Sequence, residues 1–133
     1  MSKMPELPSR IIHDLNLITS SLSVFRSIYM EILERDITNL EMISEMRSQT
    51  QQLHTFSADR IAELSKYETT LNTDEKYLEL MSFIFKVEKE LIKISEKHFF
   101  SIEDVSWLEQ RTALIIRLCA PAIEICNRLK LQS

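Results

Sequence analysis

The sequence predicts an all-α fold: an elongated four-helix bundle with coiled-coil-like seams, or five helices if a polar stretch in its middle is a joint. Three observations predict it. Apolar residues recur three and four apart over most of the chain, and period-two alternation never persists. The 133 residues include no glycine, where average usage of about 7% would give roughly nine. A chain without glycine makes no turn that only a left-handed glycine can make, which suits long helices joined by side-chain caps. The same absence excludes the phosphate-cradling loop, the dinucleotide fingerprint, the nucleophile elbow and the EF-hand loop, all of which are written with glycine.

Residues 1–8 are expected to be a flexible N-terminal segment and residues 9–131 a single helical-bundle domain. The first helix is expected over 9–36. Ile11, Leu15, Ile18, Leu22, Phe25, Tyr29 and Ile32 alternate by four and three, the seam of a coiled coil or bundle. Pro8 suits a first turn and Ser9 a cap. The next slot is the polar Asp36. A break there is favoured by Thr38 and Glu41 as a capping box, with Ile37 and Met42 as a hydrophobic staple. The alternative, one helix over 9–70, would be about 90 Å long and would need a partner chain.

The second helix is expected over 38–70. Arg47 to Gln52 contains no apolar residue, so a break near 48–57 is open, with Ser57 starting a new helix. Leu53, Phe56, Ile61, Leu64 and Tyr67 keep an apolar face going. Asn72 or Thr73 caps the third helix, over 73–98, with Asp74 and Glu75 in its first turn. Tyr77, Leu80, Met81, Ile84, Val87, Leu91, Ile94 and His98 line one side of it, and Leu78, Phe85, Ile92 and Phe99 widen that side. So broad a stripe belongs to a helix with two or more neighbours. Ser101 and Asp104 mark the start of the last helix, over 101–131, with Phe100 and Val105 as its staple. Its seam runs through Val105, Leu108, Thr112, Ile115, Cys119, Ala122, Cys126 and Leu129. Pro121 cannot donate to residue 117, so a kink is expected there.

The chain carries 16 Lys+Arg against 20 Asp+Glu, a net charge of -4, and both signs are mixed along its length. Nucleic-acid binding needs a clustered positive field, which the bulk charge does not supply. No run of 18 apolar residues occurs, so no membrane span is expected, and the N-terminus lacks the apolar core of a signal peptide. Cys119 and Cys126 stand two helical turns apart, about 10.5 Å, too far for a mutual disulfide. Free thiols and no signal point to an intracellular, cytoplasmic setting.

Catalytic candidates are few. His13 stands in Arg10-Ile11-Ile12-His13-Asp14-Leu15-Asn16, off the first helix's seam. This stretch resembles the phosphoacceptor box of histidine-kinase dimerisation domains and histidine phosphotransferases, where an acidic residue and then Leu follow the His on a solvent-facing helix. The resemblance implies phosphotransfer through His13, with Asp14 as its orienter. It extends over the helical hairpin from Ser9 to Lys66, but Ile18 stands where that box commonly has proline. The glycine-rich ATP-binding domain of a kinase cannot be written here. Arg47 and His54 are similar in spacing to the Arg–His pair of HEPN ribonucleases, which implies a phosphodiester cleft if the two converge. No Glu-x-x-His pair is present and neither cysteine has a second soft ligand near it, so no metal and no cofactor are expected.

Partner-binding candidates are clearer. Lys86, Lys89, Lys93 and Lys97 follow helical spacing and form a one-sided basic strip, with Glu90 partly neutralising it. Phe83 lies between the two stripes of its helix and Trp107 off the seam of the last, so both are candidate anchors for a protein partner. The reading that follows is a non-enzymatic protein–protein interaction module. It would be an adaptor, regulator or subunit that forms a homodimer or joins a hetero-complex.

Overall fold

A computed structural model describes residues 6–35, 40–98 and 101–132. Its elements are α1 (Leu7–Arg35), α2 (Leu40–Ser65), the one-turn α3 (Glu68–Leu71), a 3-10 turn (Glu75–Tyr77), α4 (Leu78–Glu96) and α5 (Glu103–Leu131). No strand occurs among the described residues. The fold is an all-α bundle built on four long helices. The longest, α1 and α5 at 29 residues each, reach about 43 Å.

Side-chain pairs fix the topology. Arg26 of α1 meets Glu109 of α5 at 3.0 Å. On α5, Arg111 meets Glu90 of α4 at 2.8 Å and Arg128 meets Glu79 at 3.8 Å. Numbers that rise on one helix fall on its neighbour, so these pairs run antiparallel. His54 of α2 reaches the Lys97 carbonyl past the end of α4. At the far end of α2, Arg60 and Tyr67 reach back to Asp14 of α1. The helices therefore form a ring in the order α1, α2, α4, α5, each antiparallel to the next, with α1 packed most extensively on α5. Helices α1 and α2 are the two arms of a hairpin and not one rod. The cap and staple anticipated at this turn rest on side chains of residues 37–42, which lie outside the described residues.

The core follows the seams. Ile11, Leu15, Ile18, Leu22 and Tyr29 of α1 are fully buried, as are Leu80, Ile84, Val87, Leu91 and Ile94 of α4 and Val105, Leu108, Ile115, Cys119 and Cys126 of α5. Each large apolar side chain so buried contributes about 1.5–3 kcal/mol. Cys119 and Cys126 are free thiols in this core, and burial pushes both up to about 11. They are core packing at pH 7, not nucleophiles or ligands.

Two joints decide what the sequence left open or placed one or two residues off. Helix α2 runs without interruption through 47–57. Met46, Thr50, Leu53, Ser57 and Leu64 are all buried, at spacings of four, three, four and seven. Thr50 and Ser57 thus hold seam positions that an apolar count skips. Thr50 stays satisfied by donating its hydroxyl to the Met46 carbonyl at 2.8 Å. Before α4, the cap is Asp74 and not Asn72 or Thr73. Asp74 is extended and accepts from the Lys76 amide at 3.1 Å, while the Thr73 hydroxyl donates to the Thr70 carbonyl at 2.6 Å. In α5, Pro121 sits inside a helix that continues on both sides of it. At the start of α5 one half of the anticipated capping box forms, the Ser101 amide donating to the Asp104 carboxylate at 2.9 Å, but the helix begins at Glu103 with Ile102 as its cap, and the staple residue Phe100 lies outside the described residues.

Candidate functional site

The anticipated anchor Trp107 projects from the first turns of α5 into a cage of charges. Lys97 Nζ lies 5.2 Å from its ring centroid and the Arg111 guanidinium 5.3 Å. Lys97 is also ion-paired with Asp104 at 2.8 Å, and Arg111 with Glu90 at 2.8 Å. Glu90 completes the chain by accepting from Lys93 at 3.1 Å. Burial opposes the ionisation of Glu90, but the hydrogen bonds from Lys93 and Arg111 prevail and hold its carboxyl below the ordinary range. The network clasps α4 to α5. It engages Trp107, Lys93 and Lys97 within the chain and leaves Lys86 and Lys89 as the exposed members of the basic strip. Phe83 is half-buried against the core, with the Lys86 ammonium 5.0 Å from its ring centroid.

The two catalytic candidates are placed as follows. His13 is exposed on α1. Asp14, one residue on, is turned about 100° away into the α1–α2 seam. There it accepts from the Tyr67 hydroxyl and lies 4.0 Å from the Arg60 guanidinium. Burial and this hydrogen bond to Asp14 push the Tyr67 phenol up to about 12. The Asp14 carboxylate is thus engaged with α2 and does not orient His13. Arg47 is exposed on α2. His54 is half-buried, its Nε2–H donating to the Lys97 carbonyl and its ring edge-on to His98 at 6.4 Å. A carbonyl only accepts, so Nε2 must carry the proton. His54 fastens α2 to the end of α4, and no contact with Arg47 accompanies it.

What sequence reasoning did not single out is the outward face of α4. Leu78, Phe85 and Ile92 recur every seven residues and are 55%, 45% and 41% exposed. They form an apolar line on the solvent side, next to the exposed Lys86 and Lys89. The breadth of the apolar stripe on this helix was its signal: a stripe wider than the bundle can cover leaves one margin outside. Beside this margin lies a cleft of about 340 Å³, lined by Glu68, Thr69 and Asn72 on one wall and Met81 and Phe85 on the other. Glu68, on its lining, is hydrogen-bonded to the buried Glu88. Burial, then the neighbouring Glu68 carboxyl, push Glu88 up to about 8. Glu88 is only 8% exposed, and its Oε1 has no hydrogen-bond partner. Nothing in the sequence announces this pair, because the turn at 72–74 is what brings residues twenty positions apart together.

No group of three or more His, Cys, Asp or Glu among the described residues is arranged to hold a metal ion. No helix among them is long and apolar enough to cross a membrane. Comparison with protein-family models, with curated proteins and with solved structures gives no match. The reading of function therefore rests on the surface of the molecule itself.

Proposed function

We infer that this chain is a protein–protein interaction module, a regulator, adaptor or subunit, that docks its partner on the outer face of α4. One observation carries the reading: Leu78, Phe85 and Ile92 form an exposed apolar line at heptad spacing with Lys86 and Lys89 beside it. Single exposed apolar side chains are common, but an ordered row on one helix face is what a second helix packs into. The anchors shift accordingly from Phe83 and Trp107, which are packed or caged, to Phe85 and its two neighbours.

The test is capture of a partner by the immobilised full chain from cells that express it, set against the same chain carrying Phe85→Glu. A protein recovered by the first and lost by the second, with helix content unchanged by circular dichroism, supports the module. Equal recovery by both removes α4 as the docking face.

A second reading, histidine phosphotransfer at His13, is favoured by the exposure of that imidazole on a helix flank. It predicts label transfer from a phosphorylated response regulator, abolished by His13→Ala and retained in Asp14→Asn, since Asp14 faces α2.

A further inference from the structure

We propose that the partner of the α4 face is a second copy of this chain, packed antiparallel about Phe85, with Lys89 of each copy inserted beside the Glu68 and Glu88 carboxyls of the other. The inference rests on the interaction-module reading and names its partner. The spacing comes first. Leu78 and Ile92 stand seven residues to either side of Phe85. A two-fold axis through Phe85 therefore lays Leu78 on the partner's Ile92 and Phe85 on the partner's Phe85. The line is complementary to itself, as an isologous interface requires.

Charge selects the antiparallel sense. Lys86 and Lys89 are exposed just after Phe85, and Glu68 lines the cleft beside it. Antiparallel pairing sets Lys89 of one helix by the partner's cleft wall, where Glu68 stands, and parallel pairing would set Lys89 on the partner's Lys89. The flank of α2 beside this face leaves room. Ala58 and Ser65 follow His54, which faces α4, at four and eleven residues, and both are exposed and small.

The cleft supplies the specific contact. Lys89 lies four residues after Phe85, so the two-fold sets it opposite the partner's Met81, four residues before. Met81 and Phe85 form one wall of the cleft and Glu68 belongs to the other. Behind Glu68, and hydrogen-bonded to it, is the buried Glu88 carboxyl, whose Oε1 has no donor. An ammonium brings three donors and the charge that lets two adjacent carboxylates ionise together.

Sedimentation equilibrium of the full chain tests this. The wild type should dimerise, and Phe85→Glu should raise the dimer Kd by about 30-fold or more, as loss of a central aromatic anchor does. Phe85 is half-exposed, so circular dichroism should show the variant folded. Lys89→Glu should weaken the dimer and the double variant Lys89→Glu, Glu68→Lys should restore it. Mild oxidation of a chain carrying Leu78→Cys mixed with one carrying Ile92→Cys should give the 78–92 cross-link in preference to 78–78, the two native thiols being buried. A monomeric wild type, a dimer indifferent to Phe85→Glu, or preferred 78–78 cross-linking would each overturn the arrangement. If the wild type is monomeric but Phe85→Glu still abolishes capture of a different protein, the docking face stands and only the second copy falls. If capture is also unaffected, both fall.

Discussion

Of the buried acidic side chains, Asp14 and Glu88 have opposite consequences. Asp14 is held by the Tyr67 hydroxyl with Arg60 at 4.0 Å, and this polar knot ties α1 to the end of α2. Removing one partner of a buried pair strands the other, which costs far more than the pair contributes. Asp14→Ala should therefore lose about 2–4 kcal/mol of stability, and Tyr67→Phe only about 1 kcal/mol, because Arg60 still faces the carboxylate. Urea unfolding of the two variants side by side checks the order. Glu88 behaves the other way. Its carboxyl is raised from the ordinary 4.5 to about 8 by burial and by Glu68. A raised acid contributes stability that is fully present below the unfolded value and is lost as pH climbs to the folded one. Stability should fall between pH 4.5 and about 8, and Glu88→Gln, which keeps the shape without the charge, should flatten that slope. A variant whose slope matches the wild type would show that Glu88 is not the titrating group.

At the scale of the element, α2 teaches how a seam hides. Its apolar residues thin out over 47–52, and from the sequence that gap invited a joint. The helix is continuous because Thr50 and Ser57 occupy seam positions between Met46, Leu53 and Leu64. Thr50 satisfies itself on the Met46 carbonyl, whereas Ser57 Oγ is buried with no partner. Removing that hydroxyl removes a desolvated polar group and opens almost no volume, so Ser57→Ala should stabilise the protein by about 1 kcal/mol and raise its melting temperature. The long seams of α1, α4 and α5 were legible because uninterrupted apolar periodicity reports which face is buried. The turn before α4 was legible as a cap but not to the residue, since Asn72, Thr73 and Asp74 are all good caps and only the backbone at Asp74 decides. The candidate site was less legible. Sequence identifies large and charged side chains such as Trp107 and Lys97, yet their use depends on groups brought from another helix: Lys97, past the end of α4, to the Trp107 ring, and Asp104 of α5 to Lys97. The carboxyl pair of Glu68 and Glu88 was silent for the same reason.

For the whole molecule, the carboxyl pair and the α4 face make one linked system, and the linkage has a sign. In the free chain the Glu68 and Glu88 carboxyls lie together and Glu88 keeps its proton up to about pH 8. The basic groups closest along α4 are Lys86 and Lys89, both exposed; His54 is bonded at the opposite end of that helix. In the paired form the partner's Lys89 ammonium replaces that proton, so each contact releases one proton and each dimer two. Association that releases protons tightens as pH rises, for as long as the free chain still holds them. The dimer Kd should therefore fall between pH 6 and 8, by up to about 100-fold per pH unit for two protons released. It should level off above pH 8. Glu88→Gln cannot release the proton, so its Kd should be flat over the same interval while Phe85 still anchors the pair. Kd measured against pH for both chains decides the matter. A wild-type dimer whose affinity ignores pH between 6 and 8 would mean that Lys89 does not enter the cleft, whatever else holds the two copies together.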